Sequence, residues 1–152
     1  MPTFALPDQD ATERLGRAVA ERLRSGEAVC LFGPLGAGKS TLARALVRAL
    51  AGEDEEVPSP TFTLVQTYDG PNFPLAHFDL YRLKSPDEAY EIGLDEALQD
   101  GAVIIEWPER LDGALPRDRL DIRLEPGEQE GARTAHIEGY GACKGRDEFD
   151  GE

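Results

Sequence analysis

The sequence is poor in cysteine, histidine and long apolar runs, and each shortage excludes a class of protein. Its two cysteines, Cys30 and Cys143, lie far apart, no C-x-x-C spacing occurs, and His77 and His136 are the only histidines. Neither a disulfide framework nor a zinc site fits that pattern. No stretch approaches the ~18 apolar residues of a membrane-crossing helix. The first thirteen residues hold no Lys or Arg and no apolar run of signal-peptide length. A cytoplasmic chain without membrane contact is expected. Positive charge is also in deficit, with 16 bases against 30 acids, a net charge of −14 and a pI near 4.5. Such a chain is repelled by phosphate backbones unless its bases cluster, and they are dispersed along the sequence. Direct tRNA or DNA binding is therefore not expected.

What is present is an ordinary globular composition, 40% hydrophobic with 16 glycines over 152 residues. That length suits one domain with one core. The reading is a single domain over residues 1–138 and an acidic, Gly-rich tail over 139–152 that is expected to be mobile. There are no internal repeats.

Residues 10–24 carry Leu15, Ala18, Val19 and Leu23 at helical spacing, with Asp10 and Glu13 as a capping box and Gly26 as a stop. The apolar run 28–32 is too short for a helix and reads as a buried strand. A Gly-rich turn follows, and then a second helical pattern over 39–51. Residues 61–68 and 75–81 read as strands around the Asp69-Gly70-Pro71-Asn72 turn, placing His77, Asp79 and Tyr81 on one face. Ser85-Pro86-Asp87-Glu88 opens a helix running to about Gln99, with a break expected at Gly93. Residues 102–105, 120–124 and 134–138 complete the strands.

The chemistry sits between the first strand and the second helix. Residues 33–40 read G-P-L-G-A-G-K-S, matching G-x-x-x-x-G-K-[ST] at every fixed position. In such a loop, backbone N–H groups around Gly36, Ala37 and Gly38 surround phosphate oxygens, and the helix start adds its partial positive charge. Lys39 can reach the β- and γ-phosphates, Ser40 can place its hydroxyl on Mg²⁺, and Thr41 can contact the α-phosphate. The expected ligand is a nucleotide with Mg²⁺.

A P-loop also needs an acid at the end of a neighbouring buried strand. Glu106, after Ala-Val-Ile-Ile, is the metal candidate, and Asp79, after Leu-Ala-His-Phe, is the candidate for positioning water or assisting the metal. His77 is open to two readings, a proton-transfer group or a structural residue. Trp107 could stack on a base or partner, or close the core behind Glu106. Arg82 could act on the γ-phosphate or pair with a surface acid. Cys30 reads as a small core hydrophobe.

Four blocks, L-G-A-G-K-S-T at 35–41, S-P-T-F-T-L-V at 59–65, H-F-D-L-Y-R-L at 77–83 and I-E-W-P-E at 105–109, resemble the bacterial TsaE (YjeE) ATPases in order and spacing. The resemblance spans roughly residues 4–138. It implies a P-loop NTPase-like α/β sandwich, with a mainly parallel central sheet, antiparallel hairpin strands and flanking helices. It implies slow, Mg²⁺-dependent ATP hydrolysis that partners stimulate. It also implies TsaB- and TsaD-type partners, which transfer a threonylcarbamoyl group to adenosine 37 of tRNAs reading A-starting codons. Carried onto this chain, the metal roles fall on Ser40 and Glu106, and catalytic or switch-like positions fall on Asp79 and on the block containing Thr61. Gln9, Thr12 and Arg133 resemble family positions near the nucleotide. Ser40 stands where Thr is commoner, a chemically small change, and the tail has no family pattern. Two other classes share the motif. A small-molecule kinase would usually bring an Arg-rich lid, which 84–101 lacks, and a nucleotide-dependent binding module would show tight binding with little turnover.

Overall fold

The structure, a computed structural model, describes residues 3–34, 37–53, 57 and 64–146. Strand β2 (Ala28–Phe32) is buried along its whole length. A strand without a polar face must be covered on both sides, and it is. Val29 and Leu31 pack with Leu15, Val19, Leu42 and Leu46 of helices α1 (Gln9–Arg22) and α2 (Lys39–Ala51). Ala28, Cys30 and Phe32 point the other way, towards Leu80, Ala89, Leu94 and Leu111. These come from the loop after β4 (Pro74–Asp79), the short helices α3 (Asp87–Glu91) and α4 (Leu94–Asp100), and a 3-10 turn at Pro108–Leu111. The result is a helix–sheet–helix sandwich.

Among the described residues seven strands lie in the order β1-β7-β6-β2-β5-β4-β3. Strands β6 (Arg119–Pro126), β2, β5 (Ala102–Glu106) and β4 form a parallel centre. Antiparallel neighbours flank it: β3 (Val65–Asp69) on β4, and β7 (Arg133–Tyr140) followed by β1 (Thr3–Leu6) on β6. The expected P-loop NTPase-like α/β sandwich is present, with the parallel strands central and the hairpins at the sides.

Several local expectations change. The α1 cap is Asp8, not Asp10: Asp8 is extended (φ −150°, ψ 177°) and its Oδ1 accepts from Ala11 N at 2.8 Å. Asp10 lies inside the first turn, where its charge suits the helix dipole. Strand β4 ends at Asp79, so Tyr81 is not on its face. The chain turns there because Asp79 Oδ1 accepts from Tyr81 N at 3.0 Å, while Leu80 N donates to Glu106 O at 3.1 Å. Strand β1 has no counterpart in the sequence reading. Of the expected strand at 61–68, residues 61–63 lie outside the described residues.

The domain boundary expected at 138 falls inside β7, which runs to Tyr140. A 3-10 turn follows at Gly141–Cys143, where Cys143 is buried. Arg146 Nη1 then donates to Glu27 Oε1 at 2.6 Å and to Arg22 O at 3.0 Å. Residues 139–146 thus belong to the packed domain, and 147–152 lie outside the described residues. Both cysteines are buried thiols without a disulfide. Burial pushes the Cys30 thiol well above its ordinary range and is the first cause raising Cys143 to about 11. Neither is suited to nucleophilic work.

Helices α1 and α2 meet at Gly16, where an added Cβ would stand 2.7 Å from Leu42 O and 3.0 Å from Ala45 Cβ. The nearest obstruction is backbone, so it cannot swing aside. Gly16→Val is expected to destabilise the fold by about 3 kcal/mol through overpacking, lowering Tm by roughly 6–12 °C. Thermal unfolding followed by circular dichroism checks this.

Candidate phosphate site at the ends of the parallel strands

In open α/β sheets, ligands collect at the carboxyl ends of the strands. Here those ends bring β2, β4 and β5 together. Register pairs Leu31 with Glu106 and Glu106 with Asp79, so the two acids are direct cross-strand neighbours beside the exit of β2. The period of two places Leu75, His77 and Asp79 on the face shared with Ala102, Ile104 and Glu106, which is the side covered by α1 and α2.

The Gly-rich loop leaves β2 at Gly33, which has φ +145°. A Cβ there would lie 2.5 Å from Leu124 O, so the loop passes directly against β6 and only glycine fits. Gly36 lies outside the described residues. Ala37 is fully buried, Gly38 caps α2 in a left-handed conformation, and α2 begins at Lys39. Ser40 is exposed in the first turn and Thr41 is half-buried behind it.

Lys39 is the outstanding group. It is only 5% exposed, and Nζ makes no hydrogen bond among the described residues. Desolvation lowers its pKa, opposed by the charges of Glu106, Glu109 and Asp79. A buried cation without a hydrogen-bonded partner is costly, and its pairing with an incoming anion removes that cost. The Trp107 ring lies close against it, with its centroid 3.8 Å from Nζ.

Glu106 is 6% exposed, and its Oε2 lies 2.6 Å from Nε2 of His77, itself 3% exposed. His77 Nδ1 has no hydrogen-bond partner among the described residues. The histidine therefore sits behind the acid, holding one carboxylate oxygen. Asp79 is 6% exposed and spends Oδ1 on the Tyr81 amide. Among the described residues no three His, Cys, Asp or Glu side chains converge into a metal cage. Mg²⁺ does not require one, because it keeps several waters and takes one or two carboxylates plus substrate phosphates. Glu106, Asp79 and the exposed Ser40 hydroxyl fit that demand.

The remaining expected residues separate. Arg133, at the start of β7, lies against the loop: a Cβ at Gly38 would be 3.2 Å from its Nε, while its Nη1 donates to Ala132 O at 2.8 Å. Gln9 is exposed and lines a polar groove between α1 and α2 together with Thr41 and Arg44. Thr12 is buried within α1. Thr61 lies outside the described residues. The Lys39–Trp107 and His77–Glu106 contacts are through-space pairings with no sequence spacing that announces them. The signals available were the adjacency of Trp107 to Glu106 and the two-residue offset of His77 from Asp79.

The family model for "Threonylcarbamoyl adenosine biosynthesis protein TsaE" matches residues 6–135. The tRNA threonylcarbamoyladenosine biosynthesis protein TsaE of Rickettsia conorii is 41% identical over 120 residues, covering 79% of this chain and 69% of the relative. The protein of the same name from Streptomyces coelicolor is 43% identical over 116 residues, covering 73% of this chain and 76% of the relative. The crystal structure of Bacillus subtilis YdiB superposes with a TM-score of 0.75 at 26% identity, covering 93% of this chain and 86% of that one. With the family model spanning most of the sheet and the whole candidate site, the chain belongs to the TsaE family.

Proposed function

We propose that this chain is the ATP-binding and ATP-hydrolysing subunit of a tRNA-modifying assembly, acting in threonylcarbamoyladenosine biosynthesis with TsaB- and TsaD-type partners. The modified position is adenosine 37 of tRNAs reading A-starting codons, and hydrolysis drives or resets the complex. Family membership supports the pathway. The observation that carries the nucleotide reading is the buried Lys39 ammonium, without a hydrogen bond among the described residues, at the start of α2 and beside two strand-end carboxylates.

In this reading the backbone around Gly36, Ala37 and Gly38 holds phosphate oxygens and Lys39 neutralises the β- and γ-phosphates. Ser40 and Glu106 hold Mg²⁺, which when bound supplies charge neutralisation on the phosphates. His77 orients Glu106 by fixing one of its oxygens, and Asp79 orients the attacking water. Arg133, Gln9, Thr12 and Thr41 border the nucleotide. The partners, and not this chain, contact tRNA. Arg17, Arg44 and Arg48 do share one groove, but Glu13 and Glu53 line it too.

Among the described residues of this set the one further cation, Arg133, has its Nη1 spent on Ala132 O, so turnover by the chain alone is expected to be slow. Completion of the site falls to the segment containing Thr61. That segment rejoins the described structure at Leu64, whose φ is +69° and whose carbonyl accepts from Asp79 N at 2.9 Å. Its exit is therefore tied to the backbone of the water-positioning residue. Partner docking is expected to raise ATP turnover at least about tenfold, and Thr61→Ala to abolish most of that stimulation while leaving the basal rate within about twofold. Steady-state phosphate release with and without partners tests the reading. A chain that hydrolyses ATP as fast alone as in the complex contradicts it.

A further inference from the structure

Trp107 has a backbone that bulky residues seldom adopt, φ 59° and ψ 51°. It is held there from both sides: Glu106 ends a buried strand, and Pro108 opens the 3-10 turn that anchors the fully buried Leu111. Tyr81 lies against the ring at 5.0 Å between centroids and 51° between planes, and is itself 44% exposed. The constrained conformation thus presents one face of the indole to Lys39 Nζ, 3.8 Å from its centroid. A desolvated ammonium over an indole face is a favourable cation–π pair. Glu106, Asp79 and Glu109 are close enough to influence Lys39, yet none hydrogen-bonds its Nζ.

We propose that Trp107 is a positioning residue that holds the Lys39 ammonium on its indole face in the empty site, and that arriving phosphate takes the ammonium off that face. This rests on the nucleotide reading above. The contact stabilises the empty state and must be exchanged for phosphate, so it competes with nucleotide. The same ring also carries Tyr81, with Arg110 5.7 Å over the Tyr81 ring, so release of Lys39 is felt at an exposed aromatic surface beside the site.

The test is a titration of the full chain, labelled with ¹³C-lysine, by Mg²⁺ and ADP. Lys84 and Lys144 are the only other lysines and serve as internal references. In the empty protein the Lys39 ε-methylene resonance is expected upfield, from the indole ring current, and to move back towards the Lys84 and Lys144 positions at saturation. Trp107→Leu is expected to remove the upfield shift without nucleotide and to lower the ADP Kd roughly three- to tenfold, the equivalent of one cation–π pair. Trp107→Phe should lie between. An unshifted Lys39 signal in the empty wild type, a signal unmoved by bound ADP, or weaker ADP binding by the leucine variant overturns the proposal. Should that variant fail to fold, the wild-type titration decides alone. Calorimetry separates the two layers: no ADP binding by the wild type overturns the nucleotide reading as well, whereas binding with an unmoved Lys39 overturns only the role of Trp107.

Discussion

Lys39→Ala is expected to reduce partner-stimulated ATP turnover by about two to three orders of magnitude while leaving the empty protein nearly as stable as the wild type. The loss follows from position. Lys39 opens α2 with a buried ammonium that has no hydrogen-bond partner among the described residues. Removing a preorganised charge aimed at the transferring phosphoryl group costs about 10²–10³ in rate. The small effect on stability follows from the same fact. Desolvation lowers the pKa of this amine, so charged Lys39 is a burden to the empty fold that nearby carboxylates and the Trp107 ring only partly relieve. Deleting it removes burden and relief together, and the net change should stay within about 1 kcal/mol. Ligand stabilisation is where the variants part. ATP at a hundred times its Kd is expected to stabilise the wild type by about 2.7 kcal/mol, and the variant should show almost none of that shift. Differential scanning fluorimetry with and without Mg²⁺–ATP, beside phosphate-release kinetics, reads both.

Glu106→Gln and Asp79→Asn are expected to fail in different ways, although the two acids are cross-strand neighbours. The amide that replaces Glu106 keeps the shape and can still bond His77, which lies 2.6 Å from the native carboxylate, but it loses the negative charge a hard cation requires. The Mg²⁺ requirement of this variant should rise at least about tenfold, with nucleotide affinity measured without metal little changed. Asp79 accepts from the Tyr81 amide through Oδ1, and in the proposed function it orients the attacking water. Asp79→Asn should leave the Mg²⁺ requirement within about twofold and lower kcat about a hundredfold, the scale of a lost general base. Mg²⁺ titrations of rate and of nucleotide binding distinguish them. If the Asp79 variant proves to be the metal-hungry one, the two roles must be exchanged.

The segment from β2 to α2 was legible because three local signals agree: an apolar run too short for a helix, a complete phosphate-loop pattern, and helical spacing at Leu42, Ala45, Leu46 and Ala49. The strand-end positions of Glu106 and Asp79 were legible for a similar reason, each being an acid that follows an apolar run. Where the reading departed from the structure, long-range pairing decided. Strand β1 is short and peripheral, and it exists because Thr3 to Leu6 pair with His136 to Arg133 at the other end of the chain. Residues 139–146 looked like a tail by composition, yet the Arg146–Glu27 pair and buried Cys143 fasten them to the body. The end of β4 at Asp79 depends on one side-chain bond to the Tyr81 amide, a detail that alternation cannot reveal. Lys39 over Trp107 joins two motifs, each readable alone, through a contact set by the register of β2 on β5 and the left-handed backbone at Trp107.

The central claim is that ATP use at Lys39 sustains tRNA modification. The most direct measurement is a reconstitution with TsaB- and TsaD-type partners, threonylcarbamoyl donor, ATP and unmodified tRNA, with threonylcarbamoyladenosine quantified by mass spectrometry over many turnovers. Sustained modification is expected with the wild-type chain and ATP, and loss of it when the chain is omitted or replaced by Lys39→Ala. Undiminished modification with the Lys39→Ala chain, folded and present in the complex, would contradict the account.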